Sequence, residues 1–334
     1  MSTVDITQWE ATAEVTTNRD AMELAQVSTN AYACLQLEGG LGASNSGFIN
    51  LGGGLVVDSF WDLPRTRELI KHYSGISSDT PRRLINTHHN GDHTWGNQLF
   101  AEAGTEVIGH RLCAEYFATE NPSGMQMLTK AEGLPPAMEG LAKALRRFDF
   151  EGIELTPPTT LIDEDTEIDL GSTTAKLLYV GPAHTAGDIV VHLEDEGVIF
   201  TGDVLFNQCT PVGWEGTFDN WILALERLAE LEPEIVVPGH GPVGTTEDLL
   251  ELKEYLEYVL AEARSHYDRG HTTLEAAQAI ELGRWSEWEE PERLAFQVNR
   301  AYREFDGIQW DERPDTSKIF SEVAQLRDEF TKSA

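Results

Sequence analysis

Three imidazoles and a carboxylate, those of His88, His89, Asp92 and His93, fall within six residues, with the amide of Asn90 among them, in the stretch THHNGDH from Thr87 to His93. Packing alone rarely calls for so many metal-binding groups in so short a run. Imidazole nitrogen and carboxylate oxygen are donors for hard or borderline divalent ions, and zinc accepts both. The side chains of His88, Asn90, Asp92 and His93 can converge from one short loop, with Gly91 expected to let the backbone turn tightly. A bound divalent ion lowers the pKa of water, so a metal-held hydroxide can form at neutral pH. Such a nucleophile needs no activated serine, and the sequence has no G-x-S-x-G elbow.

The elements around this loop are those needed to hold it. A strand-like run, Arg83 to Asn86, leads in, and Gly96 precedes a helical segment. Earlier strands are expected at Ala31 to Leu37, Ser46 to Ile49 and Gly54 to Val57, the last ending at Asp58. Residues 1 to 29 read as an extended or partly helical lead-in. Phe60 and Trp61 belong either to a pocket wall or to the core, and Leu63 to His72 has helical spacing. Arg111 to Phe150 reads as a broken helical insert, a lid or packing element, and His110 as a structural residue. From Glu167 to Thr201 the pattern alternates between apolar and polar, which predicts strands at 167–170, 174–180, 188–193 and 198–201 and fits the second sheet of an αββα sandwich. An amphipathic helix over 219–231 and a short strand over 235–237 follow. Beyond Pro242 apolar stripes predict four helices, with Thr272 and Glu275 as a capping box and Pro291 starting one of them.

The loop stretch resembles the signature of the metallo-β-lactamase superfamily, written H-x-H-x-D-H. Further segments match that superfamily in order and context: GPAHTAGD with His184, FTGD with Asp203 and PGHG with His240. The resemblance implies an α/β fold of the αββα sandwich type over residues 1–245, with a C-terminal helical region, 246–334, packed on it. It further implies that His88, Asn90 and His184 face a first metal and Asp92, His93 and His240 a second, with Asp203 bridging them. His184, Asp203 and His240 are expected on loops at strand ends, and an acid such as Asp58 behind the loop either orients a ligand histidine or caps a turn.

The implied cofactor is zinc, one ion or two, with iron or manganese possible. The implied reaction is attack of a metal-bound hydroxide on an ester, thioester, lactone or amide carbonyl of a small molecule, with the second metal or Asp92 serving the leaving group. One position departs from the signature. Asn90 stands where its second histidine would be, and a neutral amide is a poor zinc ligand. Asn90 either ligates or shapes the loop by a hydrogen bond, and His89 could replace it after a small loop shift. Two other readings stay open at this point: an iron redox protein, since the flavodiiron branch also has an oxygen ligand here, and a non-catalytic binding member.

Charge narrows the partners. With 24 basic against 57 acidic residues the formal net charge is −33, and the pI is near 4.5. Such a surface repels phosphate backbones and anionic membranes, which argues against nucleic-acid substrates. Its lysine-poor, acid-rich character leads us to expect a halophilic source. Cys34, Cys113 and Cys209 are widely spaced and odd in number, so no disulfide framework is expected, and Cys209 is expected either buried or lining the site. No apolar run has membrane-spanning length and the N-terminus lacks the features of a signal peptide, so a cytoplasmic location is expected. The expected partner is a small-molecule substrate, with self-association left open.

Overall fold

The computed structural model describes residues 22–333, so the first 21 residues of the expected lead-in lie outside the described residues. Strands β1 (Glu23–Gln26), β2 (Ala31–Leu35), β3 (Ser46–Ile49), β4 (Leu55–Val57), β5 (Arg83–Asn86), β6 (Glu106–His110) and β7 (Thr160–Ile162) lie side by side in sequence order. The first four are antiparallel. From β4 to β7 the pairing is parallel, and helices fill the crossovers that parallel neighbours require. Strands β8 (Thr166–Asp169), β9 (Thr174–Tyr179), β10 (Ile189–Leu193), β11 (Val198–Phe206) and β12 (Ile235–His240) form the second sheet, in the order β12-β11-β10-β9-β8.

Apolar side chains on the inner faces, among them Ala33, Ile49, Val57 and Ile85 from one sheet and Leu177, Val191 and Phe200 from the other, make the inter-sheet core. The outer face of the first sheet, through Phe48, Leu84 and Val107, packs on Leu69 of helix Leu63–Ser74 and Phe100 of helix Asn97–Glu102. The second sheet is covered by helices Phe218–Ala229, Thr246–Asp268 and Leu294–Phe305, which share one continuous core with it. Two helical layers around two sheets are the expected αββα sandwich.

Several local expectations need correction. The lead-in contains β1, and β7 was not foreseen; both are short edge strands whose order comes from a neighbour. Strand β11 does not stop at Thr201 but runs to Phe206, so Asp203 sits inside a strand and not on a loop, and His240 is the last residue of β12. The extension is irregular: the pairing of β11 with β12 shifts register on both sides of Gly202, where φ is 51°. A Cβ at Gly202 would stand 2.3 Å from Thr87 Oγ1, so glycine permits the bulge that carries Asp203 against the Thr87–His93 loop. Pro291 starts a 3₁₀ turn, Pro291–Arg293, before the helix proper. The capping box forms as expected, with Glu275 N donating to Thr272 Oγ1 at 3.2 Å and Thr272 N to Glu275 Oε2 at 2.8 Å.

Candidate metal centre

The loop after β5 is held in place before it holds anything. Asp58, at the end of β4, adopts φ 60°, a left-handed conformation that costs a non-glycine residue free energy. It is fixed there by three contacts: Thr87 N donates to Oδ1 at 2.8 Å, Thr87 Oγ1 to Oδ2 at 2.7 Å, and His93 Nδ1 lies 3.1 Å from Oδ2. Of the two roles foreseen for Asp58, the structure shows the orienting one. Gly91 is needed for space and not for a turn: it opens the short helix Gly91–Thr94, and a Cβ there would meet the Trp95 ring at 2.3 Å. Thr87 O also accepts from Ile189 N at 2.9 Å, which ties the loop to the second sheet.

All seven expected ligand side chains come together. Donor atoms of His88, His184 and Asp203 lie within 4.8 Å of one another, and so do those of Asp92, His93 and His240. Asp203 Oδ2 is 3.7 Å from His88 Nε2, 3.3 Å from His184 Nε2 and 3.3 Å from His240 Nε2, while its Oδ1 is 3.0 Å from His93 Nε2. A carboxylate between two groups is the arrangement expected of a bridge. Asn90 Oδ1 reaches to 2.8 Å from His184 Nε2. The ring of His89 instead lies 5.4 Å from that of Tyr116, outside the ligand clusters among the described residues. His240 is aimed by its Nδ1 at 3.0 Å from the Ala43 carbonyl, and His184 by its Nδ1 at 2.5 Å from that of Val212. Nothing in the sequence marked those two carbonyls, because any residue type supplies one.

The electrostatics differ across the centre. Burial, with His93 beside it, holds His88 well below the usual imidazole range, and burial brings His184 down to about 4. Against the same burial, the carboxylates of Asp203 and Asp92 hold His93 well above that range and bring His240 up to about 9. Asp203 is itself held well below the carboxylate range, against burial, by the four imidazoles around it. Among the described residues, His88 Nε2 is buried without a hydrogen-bond partner, as is Asp203 Oδ1 despite its approach to His93. Orphaned donors and acceptors of these types, facing one another at such distances, fit divalent cations.

Above the ligands lies a cavity of about 430 Å³. Trp61, Leu141, Leu145 and Phe320 supply apolar wall, and Asn90, Asp92, His184, Asp203 and His240 line it too. Trp61 also packs on Phe148 and Phe150, so its two expected uses coexist, whereas Phe60 is entirely core. The insert over 111–150 is therefore a wall of the cleft, and helix Thr316–Ser333 brings Phe320 to it from the far end of the chain. His110 stacks on Tyr179 with ring centroids 4.0 Å apart, a structural contact. Cys209 is 5% exposed and lies outside this cavity.

The chain is similar in sequence and in fold to several known proteins. The hydroxyacylglutathione hydrolase of Methylococcus capsulatus is 30% identical over 155 residues, 46% of this chain and 45% of that protein, so the chain spans less than half of that relative. The acyl-coenzyme A thioesterase MBLAC2 of Gallus gallus is 25% identical over 205 residues, 60% of this chain and 70% of that protein. Among solved structures, a metallo-beta-lactamase from Pontibacter korlensis superposes with a TM-score of 0.55 at 19% identity, covering 71% of this chain and 99% of that one, a likeness of fold. The family model of the metallo-beta-lactamase superfamily matches residues 39–240, the span that holds every ligand position described above. The chain belongs to the metallo-beta-lactamase superfamily.

Proposed function

We propose that this protein is a metal-dependent hydrolase that cleaves an ester, thioester or lactone of a small, largely apolar acyl compound. The observation that supports this most directly is the convergence of two ligand clusters on one bridging carboxylate at the floor of an apolar cleft. The names of two relatives, a hydroxyacylglutathione hydrolase and an acyl-coenzyme A thioesterase, point to thioesters as the first class to try.

Asp92, His93 and His240 would hold one divalent ion, and His88, His184 and Asn90 another, with Asp203 between them. Bound there, a zinc or similar ion supplies Lewis acidity, which activates water and stabilises negative charge on the attacked carbonyl. The protein's own groups do the rest. Asp92, whose Oδ2 is 3.4 Å from His240 Nε2 and which lines the cleft, would take the proton of the attacking water and pass it to the leaving group. Burial opposes its charge, but His93 and His240 hold its pKa below the usual value, so it starts as a base. The apolar wall of Trp61, Leu141 and Leu145 excludes bulk water from the acyl group.

Metal analysis of protein purified without added metal, combined with turnover of hexanoyl thioesters and lactones, tests this reading. Zinc, with turnover lost on chelation and restored by zinc, is the expected result. Iron with visible absorbance and no hydrolysis would overturn it in favour of redox chemistry, and the absence of metal in favour of a binding role.

A further inference from the structure

A second cavity, of about 490 Å³, adjoins the metal cleft and shares His240 and Arg293 with it. Arg293 forms the partition: its side chain is 8% exposed, is paired with Glu290, and reaches the Thr210 carbonyl at 3.5 Å. The two spaces differ in kind. Where the cleft is walled by tryptophan, leucine and phenylalanine, the second cavity has a more polar lining that includes carboxylates and side-chain amides. Gln36 and Asn207, each 4% exposed, commit their amide nitrogens to the carbonyls of Ser44 and Pro242, both at 3.0 Å. Their amide oxygens have no partner among the described residues. Four carboxylates, of Glu251, Glu287, Glu289 and Glu290, line the space against two guanidiniums, of Arg284 and Arg293. Arg284 pairs with Glu251 and Glu254, and Arg293 with Glu290. Glu287 and Glu289 have no paired cation among the described residues.

We infer that this second cavity receives the leaving-group half of the substrate, and that the half it takes is a chain bearing amide N–H groups or an ammonium, not phosphates or carboxylates. The inference rests on the hydrolase reading above and narrows it. Amide oxygens that open on a cavity with no protein donor are satisfied by a ligand that brings donors, and the carboxylates of Glu287 and Glu289, exposed and without a paired cation among the described residues, repel a second anion. The acyl half lies against the apolar wall of the cleft, and the scissile bond falls at His240, which faces both spaces. On cleavage the bond from the carbonyl carbon to sulfur or oxygen breaks, and the heteroatom keeps the electron pair. Water supplies the hydroxyl of the acid and, in net terms, the proton of the leaving group.

The test compares hexanoyl thioesters that differ in the leaving thiol: N-acetylcysteamine, a neutral amide; 3-mercaptopropionate, a carboxylate of similar reach; and ethanethiol, too short to fill the cavity. The kcat/KM for the amide should exceed that for the carboxylate by about tenfold, and Glu287→Gln/Glu289→Gln should narrow the ratio by about threefold. Isosteric neutralisation leaves packing intact, so a melting temperature near that of the wild type accompanies the expected result. A wild-type ratio of one or less, or a ratio unmoved in the double variant, overturns the assignment.

A second measurement does not need turnover. The neutral diamide N,N′-diacetylethylenediamine should change tryptophan fluorescence, and the change should vanish in Trp288→Phe, since Trp288 lines this cavity. If no thioester is hydrolysed while that signal is present, the hydrolase reading falls and the leaving-group role falls with it. If thioesters turn over without preference and the signal is absent, hydrolysis stands and the cavity assignment falls.

Discussion

On one side of the candidate metal centre Asp92, His93 and His240 present three ionisable donors; on the other His88 and His184 present two imidazoles with the amide of Asn90. One loop supplies residues to both sides, yet their surroundings have opposite effects. Asp92 and Asp203 hold protons on His93 and His240, while burial keeps them off His88 and His184. Affinity for a divalent cation grows with the negative charge of its ligands, so the side that gathers carboxylates should bind first and more tightly. The Asn90 side has ready, unprotonated imidazoles but a weak third donor. On the ligand assignment proposed above, a graded pair of sites is expected from the single amide of Asn90.

Removing a candidate ligand from the carboxylate-rich side should have the largest effect. His240→Ala should lower kcat/KM on a thioester by about 10³-fold, the scale of losing a stabiliser of charge that develops in the reaction, while the fold is retained. Turnover at the wild-type rate would take His240 out of the mechanism. Asp58→Asn reaches the same side through His93. It keeps the size of the side chain but weakens its hold on the imidazole, and metal affinity should fall by about 10- to 100-fold with little change in melting temperature. Calorimetric titration of metal into chelated protein reads this, and unchanged affinity would reduce Asp58 to a turn residue.

The weaker side offers the opposite experiment. Asn90→His replaces a neutral oxygen with an imidazole beside His184, and affinity there should rise by about tenfold, or about 1.4 kcal/mol, moving stoichiometry toward two ions per chain. His89→Ala should leave that titration unchanged, because the His89 ring stands by Tyr116. Two equal tight sites in the wild type, with one lost in His89→Ala, would reverse the assignment of these neighbours. The smallest effect concerns the whole surface. With a net charge of −33, carboxylate repulsion opposes folding, and salt screens it, so the melting temperature should rise by a few degrees from low to molar salt. A flat response would count against a halophilic source.

The sequence by itself determined the donor types and their order. His88, Asn90, Asp92 and His93 share one short loop after an apolar strand, and a local turn suffices to bring them together. His184, Asp203 and His240 were legible through the segments around them, as was the sandwich through its alternating strands. Tertiary structure alone decided how the donors are aimed and what surrounds them. The left-handed Asp58 meets His93 across 35 positions, and the carbonyls of Ala43 and Val212 aim His240 and His184, contacts to backbone atoms that carry no sequence signature. Asp203 reaches the site from inside β11 because a bulge at Gly202 meets Thr87, a fit of two sheets that neither strand encodes alone. The cleft wall joins Trp61, Leu145 and Phe320 from three distant segments, and the second cavity joins Gln36 to Glu289. Local patterns are set by neighbours in the chain; an enclosed space is set by packing between elements, which is where the choice of substrate lies.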